Sequence, residues 1–285
     1  MAKKVSTFTV DTFNVDVARI SGQRTMWYCT EYDDLDNLER QSPSRQESLS
    51  DDVFRYIRLR ILNGKYVGGE KVRESVLAKE LDVSRATVRE ATRRLSGIGL
   101  LDIDPQRGVF VRLYALDDII DLYDLRDSLC DLTARLFVER ATDRDKGQIQ
   151  MLFDMTANVT PDTYQDSDYV KALAFSEAIV RAARNEKLFE LYHQSWQQFR
   201  LFKLHLLRSG SGGFNLPEYN RALFFDGHAH RLALNDAICL KKTKPISKAM
   251  QKASQASRQG ALTIHRDAQK AAKQGWRPEK AAAGQ

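Results

Sequence analysis

Three arginines, Arg85, Arg89 and Arg93, recur every fourth residue in the stretch Ser84-Arg85-Ala86-Thr87-Val88-Arg89-Glu90-Ala91-Thr92-Arg93-Arg94-Leu95. On a helix that interval places them on one side. A guanidinium is a planar fork of donors that matches phosphate oxygens and the O6/N7 edge of guanine. The row therefore has the chemistry of nucleic-acid contact. A lone basic run is more commonly a solvated helix face, so the reading depends on its surroundings. Ser84 is a good N-cap, because its hydroxyl can accept an N–H left unpaired in the first turn. Val88, Ala91 and Leu95 recur at helical spacing and supply a face that can pack. A shorter helix over residues 74–81 precedes this one across a turn at Asp82-Val83. Two helices so joined read as a helix-turn-helix, with the second as the reader.

The flanking elements complete a unit. Residues 48–63 form an amphipathic helix, with Leu49, Val53, Ile57 and Ile61 at four-residue intervals and Phe54 and Leu62 widening the stripe. Asn63-Gly64 ends it, since glycine takes the left-handed conformation without penalty. Gly68-Gly69 marks a turn before the helix pair. After Gly97-Ile98-Gly99, the runs 100–104 and 109–112 flank Pro105-Gln106-Arg107-Gly108 and read as a hairpin. Three helices and a hairpin make a winged helix-turn-helix. Arg107, at the wing tip, can reach a phosphate or the minor groove; without the reading helix beside it, it would be an ordinary exposed turn residue.

From Leu116 onward the pattern is helical, over 116–141, 143–158, 168–184, 186–207, 218–240 and 245–258. Thr142 and Asp145 resemble a capping box, and Asn185 can cap the helix that follows it. The glycine- and serine-rich run 209–213 is a loop. The fold class is mainly α, a winged helix-turn-helix followed by an all-helical bundle. Four regions result: an arm over 1–44, the winged helix over 45–112, the bundle over 113–258 and a basic tail over 259–285 that frays. Within the arm, Phe8, Val10, Phe13, Val15 and Val17 alternate with polar residues and hint at a short strand.

Charge is distributed in the same way. The formal net charge of +6 resolves into −2 for residues 1–44, +4 for 45–112, −5 for 113–240 and +9 for 241–285. A basic module ahead of an acidic body suits a chain whose first half touches nucleic acid and whose second half does not. No continuous apolar run approaches the length of a membrane span. Met1-Ala2-Lys3-Lys4 leads into Thr and Asp and does not read as a signal peptide. Cys29, Cys130 and Cys239 are far apart and read as free thiols, consistent with a cytoplasmic protein. There is no P-loop, no Gly-x-Ser-x-Gly and no His-Glu-x-x-His, so neither an enzyme nor a cofactor is expected.

Residues 48–112 resemble the winged helix of the GntR family of bacterial transcription regulators. The residues that carry the resemblance are Leu81-Asp82-Val83-Ser84-Arg85-Ala86-Thr87-Val88-Arg89-Glu90-Ala91, Arg94-Leu95, Gly99-Leu100 and Arg107-Gly108-Val109-Phe110-Val111. The helical half, with Leu122-Tyr123-Asp124-Leu125-Arg126, is similar to the effector domain of the FCD-type, FadR-like branch. The resemblance spans about residues 48–256. It implies a homodimer on a short palindromic operator in double-stranded DNA, each reading helix in a major groove and each wing on the flanking DNA. It also implies a repressor whose operator affinity responds to a small-molecule effector, an organic acid. Carried over by position, Arg85 and Arg89 contact bases or phosphates; Arg93, from its place in the same row, and Arg107, from the wing tip, are expected DNA contacts beside them. Ser84 and Thr87 anchor the helix start on phosphate, and Gly108 lets the wing backbone approach. Ala86 stands where a Thr is frequent, and Ser75 where some members carry Arg. A sequence-neutral architectural DNA binder relying on the basic tail is the alternative.

In the helical half, Arg126 falls on the apolar stripe of Ile119, Leu122, Leu129 and Leu136. A charge facing a core is costly unless paired. Two readings stay open: an internal salt bridge, or a bidentate partner for an anionic ligand. His230 lies similarly among Leu223, Leu234 and Ile238, where a hydrogen-bonded core histidine is the commoner outcome. Many domains of this resemblance hold a divalent metal through an Asp, a His four residues later and two further His. Here the first pair aligns with Ala172 and Ser176, the last His with Ala253, and only His230 is kept. One imidazole cannot hold a metal tightly, so no metal is expected. The expected effector site is Arg126, Ser176 and His230.

Overall fold

The computed structural model describes residues 49–208 and 216–273. The expected arm and its strand lie outside the described residues. The first unit is α1 (Leu49–Leu62), β1 (Lys71–Val72), α2 (Glu74–Glu80), α3 (Arg85–Gly97), β2 (Leu101–Asp104) and β3 (Gly108–Val111). Its core is the one that the periodicity requires. Ile57 and Ile61 of α1, Leu77 of α2, and Val88, Ala91 and Leu95 of α3 are all buried against Leu100, Leu101 and Val111. Leu49, expected at the head of the α1 stripe, is instead exposed. Asp82 takes φ +50 in the turn between α2 and α3, and Gly64 takes φ +69 after α1.

The sheet is antiparallel in the order β1-β3-β2. Leu101 pairs with Val111 and Asp104 with Gly108, which fixes the wing register. β1 adds Lys71 opposite Phe110 and Val72 opposite Val109. Two residues are too few to show a period of two, so nothing in the sequence announces this strand.

The helical half comprises α4 (Leu116–Arg140), α5 (Asp143–Ala157), α6 (Asp166–Ala182), α7 (Glu186–Arg208), α8 (Leu216–Asp226), α9 (His228–Cys239) and α10 (Thr243–Lys273). Thr142 Oγ1 accepts the Asp145 N–H at 3.2 Å while Asp145 accepts the Thr142 N–H at 2.7 Å, so the capping box forms. Asn185 Oδ1 accepts the Leu188 N–H at 3.1 Å at the head of α7. Phe175, Ile179 and Ile246 are fully buried in the main core of this half.

Two boundaries differ from expectation. The segment read as one helix over 218–240 breaks at Gly227. The Phe224 carbonyl, which would accept from residue 228 in a continuous helix, accepts from Arg231 Nη1 at 2.9 Å instead. The last helix does not fray at 259; it continues to Lys273. Ala261 is buried, and with Ile264 and Ala268 it packs against Ile119, Tyr123, Phe199, Phe202 and Leu206. That stripe is built of small residues, which is why the segment reads as solvated. α10 runs antiparallel to α4: Asp131 accepts from Gln251 at 3.1 Å, Asp124 from Arg258 at 2.8 Å, and Tyr123 meets Ser257 at 2.9 Å.

α7 joins the two halves. Leu201 is part of the core of the first unit. Gln198 Nε2 donates to the Ile98 carbonyl at 3.0 Å, and Arg200 Nε donates to the Leu62 carbonyl at 2.7 Å. Those carbonyls end α3 and α1, where a donor or cation satisfies unpaired oxygens and complements the helix dipole. Tyr114 in the linker donates to the Gly99 carbonyl at 2.6 Å. Among the described residues, no helix is long and apolar enough to cross a membrane.

Candidate nucleic-acid interface and effector bundle

Ser84 caps α3 as expected, its Oγ accepting the Thr87 N–H at 3.1 Å and meeting Thr87 Oγ1 at 2.8 Å. The cap holds the first turn rigid, and the first turn carries Arg85. Arg85, Arg89 and Arg93 are exposed while Val88, Ala91 and Leu95 are buried, so the basic row faces outward. Arg89 lies 3.6 Å from Glu74, but its side chain is 66% exposed. A surface pair of that length is weak and yields readily to a phosphate. Glu74 also accepts from Thr92 Oγ1 at 2.9 Å, which ties α2 to α3.

Arg94 has a different role. It pairs with Asp51 at 2.7 Å and lies 4.5 Å over the Phe54 ring, so it fastens α3 to α1. Four arginines in ten residues thus divide into three that face outward and one that holds the fold.

The wing is shaped by Asp104. Its carboxylate accepts the N–H of Gln106 at 2.8 Å and of Arg107 at 3.0 Å, closing the turn. Those two N–H donors, from Arg107 and then Gln106, hold its pKa below the usual carboxylate value. Arg107 is exposed and lies 5.3 Å over the Phe110 ring. Gly108 takes φ +102, which a side chain rarely adopts. Lys71 of β1 approaches the other side of this hairpin, its Nζ 5.7 Å from the Phe110 ring. Lys71 is therefore a wing residue that the sequence does not reveal, because its neighbour is set by strand pairing and not by spacing.

In the helical half the three expected effector residues occupy separate elements. Arg126 on α4 is half-buried. Its Nη2 donates to the Tyr192 hydroxyl at 2.9 Å, and its guanidinium lies 4.4 Å over the Tyr192 ring and 5.4 Å from the Phe199 ring. Aromatic faces attract a cation and lower the cost of burying it. Ser176 on α6 donates to the Ala172 carbonyl of its own helix at 3.4 Å. His230 on α9 is half-buried. Positions 172 and 176, where the resemblance implies a ligating Asp and His, hold Ala and Ser, and among the described residues no three His, Cys, Asp or Glu side chains converge. The residues present do not fit a divalent metal.

A second cation, Lys203 on α7, is buried in this half; its Nζ donates to Ser257 Oγ at 2.9 Å. Burial first, and then the charge of Arg126, pushes the ammonium down to about 8; Asp226 opposes this and Arg200 adds to it. In the sequence Lys203 sits amid Phe199, Phe202 and Leu206, and a lysine there reads as one that extends its ammonium to water.

Two family models match the chain: that of the bacterial regulatory proteins of the gntR family over residues 49–111, and that of the FCD domain over residues 121–238. The chain belongs to the GntR family, with an FCD domain. Among curated relatives, this GntR protein is 27% identical over 139 residues to the HTH-type transcriptional regulator YdhC of Bacillus subtilis, covering 48% of the chain and 62% of the relative. It is 40% identical over 77 residues to the Nta operon transcriptional regulator of Aminobacter aminovorans, covering 27% and 37%. A protein of Paenarthrobacter nicotinovorans named for repression of a D-xylose utilization operon is 26% identical over 171 residues, covering 60% and 74%. Thus the match spans less than two thirds of the first two relatives. Among solved structures, E. coli McbR/YncC aligns with a TM-score of 0.60 at 20% identity, over 78% of this chain and 99% of that one. A GntR regulator of Rhodococcus sp. RHA1 aligns at 0.57 and 21% identity, over 76% and 99%. These two share the fold.

Proposed function

We propose that this GntR protein is a DNA-binding transcription regulator of the cytoplasm, a repressor that binds a palindromic operator as a homodimer and releases it in response to a small organic acid. The observation that carries the reading is the outward row Arg85, Arg89 and Arg93 on a capped helix, beside a wing that presents Arg107 and Lys71. Ser84 and Thr87 would meet a phosphate at the helix start, where N–H groups and the dipole favour anions. Arg85 and Arg89 would reach base edges, and Gly108 would allow the wing backbone to approach the duplex. Arg126 would take the acidic group of the effector, with Ser176 and His230 as the further residues expected to contact it.

A helical half fastened to the reader by Gln198 and Arg200 supports regulation and not turnover. The test is a binding titration against the DNA flanking the gene, with random DNA as competitor and with and without cell metabolites. The reading expects tight binding to one palindromic site, two protomers per site, and weakening by at least one organic acid. Equal affinity for random and flanking DNA would favour the architectural alternative.

A further inference from the structure

Lys203 takes no part in the DNA contacts, and its surroundings are unusual for a buried ammonium. It is 8% exposed. Its hydrogen bond goes to the hydroxyl of Ser257, which in turn meets the Tyr123 hydroxyl at 2.9 Å. Both groups are neutral. Arg126 and Arg200 lie close enough to repel its charge, and the exposed Asp226 opposes them. One turn before Ser257 on α10, Ser254 is 4% exposed and its Oγ has no hydrogen-bond partner among the described residues. Buried polar groups are almost always satisfied, and a buried charge is normally neutralised. A cation whose hydrogen bond goes to one neutral hydroxyl, with an unused hydroxyl donor one turn away on the same helix, is a receptor for an oxyanion.

We propose that Lys203, with Ser254 and Ser257, forms an oxyanion-binding position next to Arg126, so that the effector is a small molecule with two acidic groups, one held by each cation. This rests on the reading of the FCD domain as the effector domain. A monocarboxylate leaves the second position unfilled. A dicarboxylate or a phosphorylated metabolite fills both, and the two sources are separable by experiment.

Calorimetric titration of the full chain with malonate, succinate and glycerol 3-phosphate, against acetate and propionate, tests the assignment. At least one dianion is expected to bind more than tenfold more tightly than acetate, and the better of the carboxylate and phosphate arms names the source. Lys203→Met should weaken that dianion more than fivefold and change acetate less than twofold. Ser254→Ala should act in the same direction, and it serves as the test if Lys203→Met does not fold. Arg126→Gln should weaken both classes. Acetate binding as well as every dianion, or a dianion unaffected by Lys203→Met and Ser254→Ala, would overturn the proposal. Operator binding is measured on the same preparations. If it persists without dianion preference, only the oxyanion position is lost; if it is absent, the regulator reading itself fails.

Discussion

At the scale of single residues, the arginines of α3 are sorted by what lies beneath them. Arg94 has Phe54 and Asp51 within reach and becomes part of the fold. Arg85 is exposed and has no such neighbour among the described residues. Arg85→Ala should weaken operator binding by about 1–3 kcal/mol, the discrimination of one good bidentate base contact, and weaken random-DNA binding far less. Equal losses in a competition assay would assign Arg85 to the phosphates. Lys203 permits a prediction with a definite sign. Its folded pKa of about 8 lies below the 10.5 of an unperturbed lysine. Below pH 8 both states are protonated and the folded state bears the whole burial cost. Between pH 8 and 10.5 the unfolded chain binds more protons, so wild-type stability rises with pH. Lys203→Met should therefore be the more stable protein at pH 7, by about 3 kcal/mol at most. That advantage should shrink across pH 8–10.5, as denaturant melts at a series of pH values would show.

At the scale of elements, the contact between α3 and α7 depends on a glycine. Gly99 takes φ +81, and a Cβ there would lie 2.5 Å from Gln198 Nε2 and 2.6 Å from the Tyr114 hydroxyl. Both neighbours are engaged, Gln198 with the Ile98 carbonyl and Tyr114 with the Gly99 carbonyl. Gly99→Ala adds left-handed strain of about 1–2 kcal/mol and displaces hydrogen bonds of about 1 kcal/mol each. A loss of about 2–4 kcal/mol in thermal or chemical unfolding is expected, with faster amide exchange at the end of α3. An unchanged melt would mean that the two halves are not held by this contact. The C-terminal half of α10 is tested by truncation after Arg258. Removing Ala261, Ile264 and Ala268 uncovers Tyr123, Phe199 and Phe202. The melting temperature should fall by several degrees, since each kcal/mol corresponds to about 2–4 °C in a chain of this size. A pure tail would leave it unchanged.

At the scale of the molecule, α7 is the element through which the two halves can inform each other. Arg200 donates to the Leu62 carbonyl, to the Tyr169 hydroxyl at 3.1 Å and to Asn220 Oδ1 at 3.4 Å, so one side chain touches α1, α6 and α8. Lys203 lies less than a turn further along α7. Coupling requires an element whose arrangement both sites bias. Arg200→Lys keeps the charge but cannot span three acceptors with a planar fork. It should leave operator and effector affinities measurable while shrinking the effector-induced change in operator affinity; an unchanged ratio would place the coupling elsewhere.

The winged helix was legible because its evidence is local. A cap, a four-residue interval and a glycine turn are short-range signals, and each recurs in the structure at Ser84, on α3 and at the wing. The same holds for the helical character of the second half and for the caps at Thr142 and Asn185. What sequence could not supply is the outcome of long-range competition. The helix is interrupted at Gly227, where Arg231 takes the Phe224 carbonyl, β1 pairs with an edge that β3 offers, and the small-residue segment after 259 stays helical against a groove of α4 and α7. The identity of the buried cations was decided in the same way. Composition and periodicity marked Arg126, but only the tertiary packing buries Lys203 against the Ser257 hydroxyl of another helix, since burial is a property of neighbours that lie far apart in the chain.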